Sequence, residues 1–152
     1  MSQADQGRFT VGVFQDAVWA RRGIEALVHD GFVPESITIL ALDSPAAIAL
    51  VESLLGAPPA RLELKALGAI VVKGPLLAAL QGDDSGLGSL GLAATIGRAG
   101  FQPHDGYIFE TLTKRGGVLV GVRSEPRAAD ALARLHAYGG GNAAIGAWTG
   151  RV

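Results

Sequence analysis

The chain has 152 residues, a net charge of −1 and no cysteine, a length that suits one domain. The absence of thiols excludes disulfides, zinc–thiolate and iron–sulfur sites and thiol nucleophiles, and it fits a reducing, cytoplasmic compartment. Charged residues make up only 18% of the chain, against a usual quarter, so its helices are expected to be apolar on more than one face and to need a partner there.

Residues 1–7 are polar and read as a disordered tail without an apolar signal core, and 8–152 read as a single α+β domain. Arg8–Phe14 (RFTVGVF) is β-branched and aromatic, which predicts a strand. Asp16 can cap a helix over Ala17–Asp30, in which Ala20, Ile24 and Leu27 share one face. Gly31 suits a left-handed stop, and Ile37–Leu42 (ITILAL) predicts a second strand. Asp43-Ser44-Pro45 then starts a helix that runs to Leu55 and stops at Gly56. Glu52 is its single charge, so the helix is buried on several sides or packs on a second subunit through Ile48, Val51 and Leu55.

Pro58-Pro59 breaks the pattern. From Arg61 to Gly100 the signals are mixed: a short strand at Ala69–Val72, a helical turn at Leu76–Gln81, an acidic turn at Gly82–Gly86, and a small-residue helix at Leu87–Gly97. This last run is too short for a bilayer span of roughly 20 residues. Pro103–Lys114 predicts a helix, Val118–Val122 a strand, Ser124 to about Tyr138 a helix, and Asn142–Trp148 a last strand. Trp148 near that edge strand is a further candidate interface residue, since aromatics concentrate in contact hot spots.

The two ends repeat. Val11-Gly12-Val13 recurs as Val120-Gly121-Val122, and Ala20, Ile24, Leu27 and Gly31 recur as Ala128, Leu132, Leu135 and Gly139, with spacings of four, three and four in both. Two β-α-β halves, at about 8–56 and 103–150, predict a ferredoxin-like sheet with a helical, Gly-rich middle insertion. In that plan the first and third strands are central and the helices cover one face.

The stretches TVGVFQDAVWARRGIEALVHDGFVPESITILA and YIFETLTKRGGVLVGVRSEPRAADALARL, with GPLLAAL and GLGSLGLAATIG between them, resemble the bacterial general-stress, heat-induced proteins of the YflT-type group over most of residues 9–138. The resemblance implies a bacterial, non-catalytic, stress-associated protein, and it offers no catalytic residues to transfer. This chain departs from the group in its shorter middle, interrupted by Asp83-Asp84, and in Asp43–Glu63, which has no counterpart.

No chemistry announces itself. Gly86-Leu87-Gly88-Ser89-Leu90-Gly91 spells GxGxxG, but an acidic turn precedes it where a dinucleotide site needs a strand, so packing glycines explain it better. His29, His104 and His136 are scattered, and their convergence on a metal is not readable from sequence. No GxSxG elbow occurs. Arg21-Arg22 and Lys114-Arg115 are mere pairs, not the basic stripe of a nucleic-acid binder. The expectation is therefore no enzyme, no cofactor, no metal, no nucleic acid and no membrane span. The leading reading is a self-associating, homo-oligomeric structural or interaction protein. The alternative is a regulatory module that binds a small ligand or metabolite.

Overall fold

In a computed structural model the described residues are 9–123 and 127–137. The first strand, β1 (Phe9–Phe14), is buried along its whole length. Helix α1 (Ala17–His29) follows, with the Asp16 carboxylate accepting from the Trp19 N–H at 3.0 Å. Asp30 and Gly31 turn the chain, Gly31 at φ 98°. A short 3-10 turn (Pro34–Ser36) then leads into β2 (Ile37–Leu42). Helix α2 (Pro45–Leu55) is capped by Ser44, whose Oγ accepts from the Ala47 N–H at 3.1 Å, and it ends at a left-handed Gly56.

The next elements are β3 (Ala60–Leu64), β4 (Gly68–Lys73), α3 (Pro75–Gln81), α4 (Gly86–Leu90), α5 (Leu92–Thr95) and α6 (Pro103–Lys114), and they precede β5 (Val118–Arg123) and α7 (Ala128–Ala137). Strand β3 was not expected. The small-residue stretch expected as one helix at Leu87–Gly97 is instead broken at Gly91 (φ 92°) into α4 and α5, with a 3-10 turn at Ile96–Ala99.

The fold is α+β. Its five described strands form one antiparallel sheet in the order β1-β5-β2-β4-β3. The two repeated segments are neighbours, with Val11 opposite Gly121 and Gly12 opposite Val120. Strand β5 lies between β1 and β2 and runs antiparallel to both, so β1-α1-β2 is a parallel pair split by the strand of the second half. This is the arrangement that the ferredoxin-like plan requires for these three strands. The expected last strand at 142–148, which would flank β1, lies outside the described residues, as does Trp148.

The expectation that helices cover one face is corrected. Alternate residues of each central strand enter two separate cores. Phe9, Val11, Val13, Leu40, Ile70, Val72 and Leu119 face α3, α4, α5 and α6. Phe14, Ile37, Ile39, Ala41, Val71, Val118, Val120 and Val122 face α1, α2 and α7. A strand buried on both faces reads as an unbroken apolar run, which is how VGVF and ITILAL read. The middle insertion therefore does more than link the halves. Its β3–β4 hairpin widens the sheet beyond β2, and its helices form the third layer.

Polar contacts fix the layers at a few points. Arg127 donates to the Asp30 carbonyl at 2.8 Å and stacks over Phe32 at 4.3 Å, Arg134 pairs with Asp30, and Arg21 donates to Ser53 Oγ at 3.0 Å. The first pair of contacts holds the helix of the second half against the end of the first. Among the described residues no helix is long and apolar enough to cross a membrane.

Candidate functional site

Among the described residues one end of the sheet is left open, and the prolines explain why. Helix α2 leaves the sheet end on one face, and α3 starts on the other. Between them Gly56 ends α2, and Pro58-Pro59 hold the link to β3 extended. A proline has no N–H to extend the ladder, so strand pairing begins only at Ala60, opposite Val72. On the neighbouring strands, Pro34 opens the 3-10 turn before β2, and Pro75 opens α3 directly after β4.

The result is a cleft of about 840 Å³ whose walls include Pro34, Pro58, Pro59 and Pro75, four of the chain's seven prolines. That volume lies within the range of small-molecule sites, roughly 300–1,000 Å³. Its apolar lining is completed by Leu55, Leu77, Ile37 and Val72. Lys73 and Glu35 are its two ionisable residues, Lys73 half-buried at the end of β4 and Glu35 exposed in the 3-10 turn. Among the described residues the lining holds no imidazole, hydroxyl or thiol. The two charges stand in otherwise apolar walls. Such a lining can select, orient and desolvate a ligand.

The floor of the cleft depends on one close approach. Gly74 sits at φ 131° against β2, and the Leu76 N–H that follows donates to the buried Thr38 Oγ1 at 2.9 Å. This contact turns the chain from β4 into α3 and keeps the cleft open beside it.

The residues expected to matter are dispersed. Val51 is fully buried in the chain's own core, so its expected role at a subunit contact is corrected: it faces the sheet with Ala47 and Leu50. Ile48 is half-buried against the same core, and Leu55 forms part of the cleft wall. His29 and His104 lie on α1 and α6, which cover opposite faces of the sheet, so they do not converge. His104 does sit 3.4 Å from Asp105, yet it is 74% exposed. His136 is in α7. Among the described residues no group of three or more His, Cys, Asp or Glu could hold a metal.

The GxGxxG stretch follows α3, not a strand, and itself folds as α4 with Gly91 as its end. Its glycines serve close packing: Gly86 lies against the Arg98 guanidinium, and the Gly88 carbonyl accepts from the Lys65 N–H at 3.1 Å. Asp84 is not merely solvated. Both its oxygens take Arg98 hydrogen bonds, at 2.8 and 3.0 Å, and Arg98 also donates to the carbonyls of Leu80 and Gln81 at the end of α3. The Arg98 hydrogen bond holds the Asp84 carboxyl below the usual carboxylate range. This is a structural clamp, 14 residues apart in sequence, and not a general acid–base pair.

The cleft itself went unread in the sequence. Its signal was present in the prolines at four element boundaries, but only the β3–β4 hairpin brings those boundaries together. No family model, curated protein or solved structure matches the chain. The likeness to general-stress proteins thus rests on the quoted residues alone.

Proposed function

We propose that this protein is a non-catalytic module that binds a small ligand in the cleft between α2, β3 and α3. The carrying observation is the lining: proline-rich apolar walls with one cation and one anion, and no serine, threonine or histidine among the described lining residues. Specificity in such a site comes from a few placed polar groups on an apolar surface. A fold alone does not assign this role, so the reading stands on the cleft.

The test is a panel of amino acids, short peptides, nucleotides and divalent metals, read by thermal shift and by amide chemical shifts of the labelled protein. A ligand at about 100 times its Kd adds about 2.7 kcal/mol of stability. For a chain of this size that corresponds to a rise in Tm of roughly 5–10 °C. Chemical-shift changes are expected at Glu35, Leu55, Lys73 and Leu77. A flat panel, or changes confined elsewhere, overturns the reading.

A second reading keeps the self-associating, stress-associated cytoplasmic protein, and one observation favours it. Among the described strands β3 lies at the sheet edge, and its sequence Ala-Arg-Leu-Glu-Leu is charge-complementary to itself when two copies pair antiparallel about Leu62. Arg61 of one copy then stands opposite Glu63 of the other, a favourable cross-strand pair. Edge strands are surfaces on which chains associate. Light scattering after size exclusion is expected to show a dimer that weakens in Glu63→Lys, and a monomer over a wide concentration range removes this reading.

A further inference from the structure

Resting on the ligand-binding reading above, we propose that the cleft's ligand is an apolar zwitterion of short-peptide size, with its carboxylate on Lys73 and its ammonium toward Glu35. Lys73 is opposite Ile39 in the β2–β4 ladder. Strand alternation sends its side chain to the face of Val71, where α2 packs. Glu35 belongs to the turn immediately before β2, and that turn packs against α2. The two charges therefore flank the same sheet end from neighbouring positions.

Both charges line the cleft, yet they make no ion pair with each other or with any other described residue. Ion pairs elsewhere join Asp30 with Arg134, Asp43 with Arg61, Asp84 with Arg98 and Asp130 with Arg127, while the exposed Glu25, Glu52, Lys65 and Lys114 also make none with a described residue; what sets Lys73 and Glu35 apart is that both line one cleft. Lys73 is half-buried as a residue, and a ligand carboxylate in the cleft would give its ammonium a charge-assisted hydrogen bond.

The rest of the lining sets the body of the ligand. Proline walls present no N–H, so Pro34, Pro58 and Pro59, with Leu55 and Leu77, reward apolar side chains and leave orientation to the two charges. A nucleotide fits poorly, because one lysine faces several phosphate charges beside a repelling Glu35. A simple fatty or aromatic acid leaves Glu35 unused. The volume of about 840 Å³ suits two or three apolar residues better than one.

The probe is the dipeptide Leu-Leu, compared with its N-acetyl and its C-amide forms, titrated by calorimetry and by amide shifts into the wild type, Lys73→Gln and Glu35→Gln. Leu-Leu is expected to bind the wild type, and blocking either terminus is expected to weaken it about tenfold or more, as loss of a charged hydrogen bond does. Lys73→Gln is expected to abolish the effect of amidation while preserving that of acetylation, and Glu35→Gln to do the reverse. Blocked peptides that bind the cleft as tightly as the free one overturn the zwitterion and leave the cleft as a ligand site. No binding of Leu-Leu in any form also overturns it, and the wider panel above then decides separately whether the cleft binds anything.

Discussion

Alanine at position 74 is expected to destabilise the protein by about 4 kcal/mol, far more than alanine at any exposed turn glycine. Two costs combine. Gly74 has φ 131° and ψ 173°, a region that is essentially glycine-only, and placing another residue there costs about 1–3 kcal/mol. An added Cβ also comes within 2.4 Å of Thr38 Cα and 2.5 Å of the Ile37 carbonyl oxygen. Those are backbone atoms at the start of the central strand β2 and cannot rotate away, and overpacking of this kind costs about 1–3 kcal/mol more.

The control is Gly56→Ala. Gly56 is also left-handed, at φ 77°, but nothing lies within 4 Å of the site of its Cβ, so only the conformational cost of about 1–2 kcal/mol remains. Urea unfolding of the two variants measures the difference. Equal losses would show that the end of β4 does not press on β2, and the account of the cleft floor would fail with it. In the Gly74→Ala variant the Leu76 N–H to Thr38 bond should also loosen, and faster amide exchange at Leu76 reports it.

What the sequence revealed and what it concealed divide along a physical line. The strands at Phe9–Phe14 and Ile37–Leu42 and the helices at Ala17–His29 and Pro45–Leu55 were legible because their signals are local: unbroken apolar runs, Asp16 and Ser44 as caps, Gly31 and Gly56 as stops. The pairing of the repeated ends was legible because two copies of one unit need each other's sheet edge. Strand β3 was concealed although Leu62 and Leu64 alternate with Arg61 and Glu63. Its hairpin turns through Lys65-Ala66-Leu67, with Ala66 itself at φ 75°, and so lacks the Asn-Gly or Asp-Gly signature that marks a tight turn.

The third layer was concealed for a related reason. Residues 86–99 are rich in glycine, and their helices last four or five residues each, too short for a period to emerge. They hold their shape through tertiary contacts such as the Arg98–Asp84 clamp and the Glu110 carboxylate that accepts from the Ala93 N–H at 3.2 Å. The candidate site inherits both difficulties. Lys73 and Glu35 carry no motif, and 38 residues separate them until the hairpin folds.

The other large expected effect couples Phe14 and Gly23. In an ordinary helix interior glycine-to-alanine gains about 1 kcal/mol. At Gly23 in α1 the sign should reverse. The added Cβ falls 2.3 Å from Phe14 Cζ and 2.7 Å from Cε1, and Phe14 is fully buried, so the ring must shift within a packed core. A loss of about 1–3 kcal/mol is expected from overpacking. Phe14→Ala in turn should cost about 3–5 kcal/mol, the range for emptying a buried aromatic site. The two losses should not add. Phe14→Leu shortens the side chain under α1, so Gly23→Ala in that background should be neutral or stabilising as helix propensity reasserts itself. Equilibrium denaturation of the four proteins of that cycle gives the coupling directly. Strict additivity would mean that α1 does not rest on the Phe14 ring, and that the glycine is kept for some reason other than the close approach of helix to sheet.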